Sequence, residues 1–282
     1  MRWQNREQSS NVEDRRGRTI KRVGGGIGIG AVLMAILALI MGENPLNVLQ
    51  QFSEETTEQV ATPASKQEEA LVDFVGVVLK ETETVWIKLF RDQLNEEYVQ
   101  PKLVLYSGED NTGCGYAQST TGPFYCPADQ RVYIDLSFYE ELQTRFKAPG
   151  DFAMAYIIAH EVGHHVQYLM GITSQVENQR QRMSQAEGNR LSVAMELQAD
   201  FLAGVWAHHT QKMADLLEKG DIEEALNAAS SVGDDRIQME ARGYVVPDAF
   251  THGTSAQRMF WFKKGFETGD LSAGDTFKSL GL

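Results

Sequence analysis

Between Asp151 and Met170 the chain reads DFAMAYIIAHEVGHHVQYLM, an apolar run that is free of charge after Asp151 except around His160-Glu161-Val162-Gly163-His164. On a helix, residues four apart lie one turn apart on the same face, so the imidazoles of His160 and His164 can close on a single metal ion. They read as a zinc pair. Zinc would hold each at about 2.0–2.1 Å, and with three protein ligands it would keep a water whose pKa falls to about 7. Glu161, next to the first imidazole, is then placed to act as the general base. The bland alternative is a helix with two satisfied core histidines and a capped glutamate. His165 points about 100° away from the ligand face and reads as a packing or supporting residue.

At 282 residues and 42% apolar content the chain can build one large or two small domains with a real core. Its net charge of −13 is unevenly placed: residues 1–22 hold seven Lys/Arg against three acids, a balance of +4 that leaves −17 for the rest. An acidic body without a basic stripe argues against a nucleic-acid partner. Val23 to Met41 carries no charge, and 19 such residues would span about 28 Å as a helix, enough for a bilayer core. The expected organisation is a basic cytoplasmic segment (1–22), one transmembrane helix (23–42), a flexible linker (43–69) and a catalytic domain (70–282). The positive flank then places the domain in the periplasm or outside the cell, as a single-pass protein of the inner membrane. A cleaved signal peptide and a buried soluble helix are the alternatives.

Gly26-Ile27-Gly28-Ile29-Gly30-Ala31 imitates a dinucleotide fingerprint, but no strand precedes it and it lies inside the apolar run. The pairs Gly24/Gly28 and Gly26/Gly30 have the spacing by which two such helices pack closely, a hint of a homodimer.

Downstream, apolar residues from Leu71 to Leu94 recur at helical spacing, and KLVLY (102–106) and RVYIDL (131–136) read as strands. RVYIDL, shortly before the zinc helix, is a candidate for the rim of a substrate cleft if its edge is free. Cys114 and Cys126 are the only cysteines. In the oxidising compartment expected from the topology they form a disulfide, worth about 3 kcal/mol for a loop of this length; metal binding is the weaker alternative. Leu191 to Met213 is helical, with Glu196 and Asp200 four apart in apolar sequence, where unpaired carboxylates would be costly. A third zinc ligand would satisfy Glu196 and an imidazole N–H would satisfy Asp200, while Glu177 and Glu187 compete as ligands from polar surroundings. His208 and His209 lie too far along the helix to reach the same ion. A final helix opens with Thr254 or Ser255 as its cap.

The blocks HEVGHHVQ, ELQAD and PDAFTHGTSAQR, in that order, resemble those of the bacterial neutral zinc metallopeptidase family, single-span envelope proteins of gluzincin type, over nearly the whole chain. The resemblance implies His160, His164 and Glu196 as zinc ligands, Glu161 as the base and Asp200 as the partner of His160. Thr251-His252 followed by Arg258 is similar to a Thr-His-Pro…Arg segment of membrane-associated gluzincins. There the His faces the metal, as oxyanion partner or removable fourth ligand, and here Gly253 stands in place of the Pro. The implied fold is α+β and mainly helical: a zincin-like domain with a small sheet beside the active-site helix, preceded by one transmembrane helix. The implied activity is that of a membrane-anchored zinc endopeptidase acting on protein or peptide substrates of the envelope. Its rival is a non-proteolytic envelope scaffold with a structural zinc.

Overall fold

The computed structural model describes residues 1–17 and 65–282. Ser65 opens the first helix, α1 (Lys66–Leu89), through a reciprocal cap with Glu68, inside the stretch expected to be linker. Strands β2 (Lys102–Tyr106) and β6 (Arg131–Asp135) form where expected and pair in parallel. Between them lie a hairpin, β3 (Glu109–Thr112) and β4 (Gly115–Gln118), and a short strand β5 (Phe124–Cys126) antiparallel to β6. Cys114 and Cys126 are joined as a disulfide.

Helices make up the rest: α2 (Ser137–Thr144), α3 (Asp151–Leu169), α4 (Ile172–Arg180) and α5 (Gln185–Ala214), then α6 (Asp221–Ser231), α7 (Asp234–Arg242), α8 (Ser255–Thr268) and α9 (Thr276–Ser279). The HEVGH helix α3 is buried along nearly its whole length, packed against α1, α5 and α6. Helix α5 starts six residues before the expected Leu191 because Ser184 and Glu187 cap each other's backbone amides. Helices α5 and α8 approach so closely that a Cβ on Gly204 would lie 2.0 Å from the Phe262 carbonyl oxygen, and one on Gly265 2.0 Å from that of Phe201. Only glycine on both sides permits this crossing, and it is what carries Arg258 to Asp200.

The mainly helical α+β fold stands as expected, but the transmembrane helix does not. Among the described residues no helix is long and apolar enough to cross a membrane. The expected span (23–42), most of the expected linker and the glycine pairs Gly24/Gly28 and Gly26/Gly30 lie outside the described residues. The basic segment is also not separate: Met1–Arg16 and Ser65–Leu282 form one compact unit. Strand β1 (Val12–Asp14) adds to the sheet in parallel with β2, giving the order β1-β2-β6-β5.

The physical reason for this correction is charge. The basic residues of this head find acids of the body: Arg2 pairs with Asp215, Arg6 with Glu81 at 3.0 Å, Arg15 with Asp110 at 2.9 Å and Arg16 with Glu69 at 3.2 Å. The Met1 ammonium lies 2.8 Å from Asp151, the first residue of α3, and Trp3 stacks edge-on against Phe74.

Glu13 on β1 is bonded to Arg15, Lys102 and Arg131. Burial alone would raise its pKa, but these three cations hold it at about 2 against an ordinary 4.5. A depressed carboxylate adds stability above its unfolded pKa and loses it as pH falls towards the folded one. Glu13→Gln is therefore expected to lower Tm at pH 7, with the gap to the parent closing as pH falls from 4.5 towards 2. Thermal melts across that range check this, and a gap that persists at low pH would remove the charge from the argument.

Candidate functional site

Helix α3 supplies His160, Glu161 and His164, and α5 supplies Glu196 and Asp200. The two helices cross at the glycine of the HEVGH motif: a Cβ on Gly163 would lie 3.1 Å from the Ala199 carbonyl oxygen and 3.3 Å from its Cα. At that separation Nε2 of His160 reaches to 3.2 Å from Glu196 Oε2, and Nε2 of His164 to 3.4 Å from Oε1. Ligands about 2.0–2.1 Å from a common tetrahedral centre stand about 3.3–3.4 Å apart. The donor set fits zinc in kind and spacing, and it is one of two clusters among the described residues whose potential ligand atoms converge within 4.8 Å. The other, Asp151, Asp221 and Glu224, adjoins the Met1 ammonium, which pairs with its two aspartates.

Each histidine is oriented by a bond at Nδ1, which leaves Nε2 turned towards Glu196. Nδ1–H of His160 donates to Asp200 Oδ1 at 2.9 Å, and Nδ1–H of His164 donates to Gln167 Oε1 at 2.9 Å. Gln167 is held by bonds from its own Nε2 to the Met195 carbonyl at 2.7 Å and to Gln198 at 3.0 Å. Asp200 is fully buried and accepts also from Arg258 Nε at 2.8 Å, Arg258 Nη2 at 2.9 Å and the Tyr156 hydroxyl. Four donors match the capacity of one carboxylate.

The electrostatics follow from this packing. Burial would raise the Asp200 carboxyl, but Arg258 and His160 hold it below the ordinary range. Burial would lower His160, yet Asp200 and Glu196 raise it to about 10. Burial would also raise Glu196, and His164 with His160 takes it well below 4.5. The two carboxylates thus make the centre a place for a cation. Glu161 behaves differently: burial raises its pKa, against the pull of His164 and His160. A carboxyl tuned upward at a metal site is suited to taking up and releasing a proton.

The other sequence candidates separate cleanly. Glu187 is spent on the α5 cap, and Glu177 lies on the cleft wall outside the converging donors. His165 accepts from the Tyr125 hydroxyl at Nδ1, 2.9 Å, and donates from Nε2 to the Val99 carbonyl at 2.6 Å. Burial lowers its pKa to about 4, so it is a neutral strut between α3 and the sheet. His208 and His209 donate to the Phe266 and Gly269 carbonyls, closing the C-terminus of α8. His252 lines the same cleft as His160, Glu161, His164 and Glu196, with its side chain 50% exposed, but it is not among the converging donors. Gly253 has φ +89 and donates its N–H to Asp234, so the Pro of the similar segment could not stand here.

The cleft over the centre has a volume of about 580 Å³ and is lined by the loop from Thr120 to Tyr125 and by Val176 and Glu177 of α4. Its rim strand is not RVYIDL: β6 is interior, paired on both sides, and β5 is the edge. The backbone amide of Tyr125 lies against the Glu161 carboxyl, so the free side of β5 faces the centre. Sequence reasoning passed over Gln167 and Tyr156 as functional residues, although their spacing from His164 and His160 on one helix signalled them. It also missed Tyr125 and Asp234, which no local pattern marks.

Residues 1–277 match the family described as "Putative neutral zinc metallopeptidase". The chain belongs to this family. It is 49% identical to the protein YpfJ of Escherichia coli K12 over 98% of this chain and 99% of that one. It is 37% identical to Rv2575 of Mycobacterium tuberculosis H37Rv over 87% and 86% of the two chains. No solved structure matches it. Membership in this metallopeptidase family implies hydrolysis as the class of reaction and zinc as the metal.

Asp200→Asn would remove the counter-charge of a buried guanidinium and turn an NH2 group towards one of the four donors that the carboxylate accepts. The expected cost is on the order of 3 kcal/mol of stability and about 10–100-fold in zinc affinity. Urea unfolding and competition with a chromogenic chelator measure the two. Unchanged zinc affinity would free His160 from dependence on Asp200.

Proposed function

We propose that the protein is a zinc-dependent endopeptidase that cleaves extended segments of protein substrates. The observation that carries this is Glu161: a buried carboxyl with a raised pKa, beside a His160–His164–Glu196 donor set and open to a cleft of about 580 Å³. A metal that served only to hold the fold together would gain nothing from such a carboxyl or such a cleft.

His160, His164 and Glu196 would hold the zinc, which would supply a Lewis acid able to polarise a carbonyl oxygen and lower the pKa of water to about 7. Glu161 takes the proton from the attacking water on a carboxylate oxygen and passes it to the departing amine nitrogen. A substrate strand adds to the free edge of β5, its backbone bonded to the strand as in other edge-pairing complexes. This fixes the scissile bond over Glu161. A cleft open at its rim sets no limit on substrate length, which favours internal over terminal bonds. The Cys114–Cys126 bond ties the base of the rim loop, and it suits an oxidising compartment outside the cytoplasm, where envelope proteins would be the substrates.

Glu161→Gln is expected to retain one equivalent of zinc and the parent's Tm while losing cleavage of labelled denatured casein by at least about 10³-fold. Chelation of the metal should abolish cleavage in the parent, and added zinc should restore it. Casein cleavage at the parental rate by Glu161→Gln would sink the peptidase reading and leave zinc as a structural ion.

A further inference from the structure

The Gly233-Asp234-Asp235 turn, which opens α7, forms a cradle for the loop that carries His252. Asp234 is buried, and one of its oxygens, Oδ2, accepts three consecutive backbone amides: Thr251 at 2.7 Å, His252 at 2.6 Å and Gly253 at 3.1 Å. Its other oxygen, Oδ1, accepts Nδ1–H of His252 at 3.1 Å. The Asp234 amide returns a bond to the Gly253 carbonyl at 2.9 Å. On either side, Asp235 accepts the Ser255 amide and hydroxyl, both at 2.8 Å, and a Cβ on Gly233 would lie 2.4 Å from the Ser255 nitrogen. Loop and turn are locked together at four loop residues, Thr251, His252, Gly253 and Ser255.

We propose that Asp234 is a positioning residue for catalysis: it fixes the His252 loop and binds Nδ1–H, so that Nε2 of His252 is presented to the carbonyl oxygen of the scissile bond. The proposal rests on the peptidase reading above. A carboxylate is needed for it. Four donors converge on Asp234, and only a carboxylate offers four acceptor sites; an asparagine would turn an NH2 group towards one of them.

With Nδ1–H committed to Asp234, His252 can donate from Nε2 only as the imidazolium. Asp234 first, against burial and with help from Glu196 on α5, raises the His252 pKa, while Arg258 on α8 opposes. The protonated ring then donates to the oxyanion as negative charge develops there. His252, which would touch the reacting oxygen, is the catalytic residue, and Asp234 acts through it.

The test uses the full chain loaded with zinc, in three variants: Asp234→Asn, His252→Ala and the double substitution. The probe is a quenched peptide derived from a mapped casein cleavage site. Each single variant should keep zinc and lose about 10²-fold in kcat, with KM within about twofold. The double variant should be no slower than His252→Ala alone, because the two residues act as one unit.

A second measurement does not depend on cleavage: the ring nitrogens of His252, followed by NMR through a pH titration. The parent should show protonated Nδ1 and a midpoint that Asp234→Asn lowers by about one pH unit or more. Parental kcat in Asp234→Asn, multiplicative losses in the double variant or an unmoved midpoint would each overturn the proposal. If Asp234→Asn does not fold, Asp234→Glu takes its place, and there the proposal requires partial recovery of kcat relative to His252→Ala. Failure of the peptidase reading itself would show separately, as unimpaired cleavage by Glu161→Gln, with the NMR arm still deciding whether Asp234 sets the His252 ring.

Discussion

The Asp200 carboxylate is the joint on which the site depends. It has no exposed surface, and an unpaired charge there would cost several kcal/mol even after relaxation. It persists because two helices bring it donors: Tyr156 and His160 from α3, and Arg258 from α8 in a two-bond fork. Remove any one and the other charges lose their balance. The same contacts that make the burial tolerable also orient His160, so stability and metal geometry are set by one group. The glycine crossings make this possible. Gly163 lets α3 meet α5, and Gly204 with Gly265 lets α5 meet α8; a methyl group at any of them would meet neighbouring atoms at 3.1 Å or less.

Two kinds of support surround the ligands, and they differ in consequence. His160 leans on a charged partner and His164 on the neutral amide of Gln167, which is itself held to α5 through Met195 and Gln198. The charged partner raises the basicity of its imidazole more strongly. His160 is therefore the ligand whose pKa is driven up to about 10, and His164 is raised mainly by Glu196, against burial. Between them the two rings and Glu196 bring their ligand atoms within 4.8 Å of one another.

How much of this was legible in the sequence depends on how local each feature is. The pair His160 and His164, the adjacent Glu161 and the pair Glu196 and Asp200 are all fixed by helical spacing, and each appears where spacing put it. Arg258 was legible only through the resemblance of its segment, since its partner lies 58 residues away. Asp234 lay beyond reach: a Gly-Asp-Asp turn reads as an ordinary helix start, and its role exists only once a loop 17 residues later folds back onto it. The rim strand went to β6 because RVYIDL has the stronger strand composition. The edge is β5, whose three residues are too few to signal a strand, and whose place is set by pairing with β6 and by the disulfide at its end.

The N-terminal residues show the same limit more sharply, because there a sound local reading met a nonlocal fact. A basic stretch before an uncharged run of 19 residues suggests a segment left behind on the cytoplasmic face. Yet four cations of that stretch, Arg2, Arg6, Arg15 and Arg16, pair with acids of the body, an attraction available whenever both are on one side. Strand β1 lies against β2 in register from Val12 opposite Leu103 to Asp14 opposite Leu105, and Arg16 pairs with Glu69 just inside α1. Both flanks of residues 18–64 thus belong to one compact unit. A single crossing between them would put β1 and β2 on opposite faces of a membrane, and no hydrogen-bonded strand pair survives that separation.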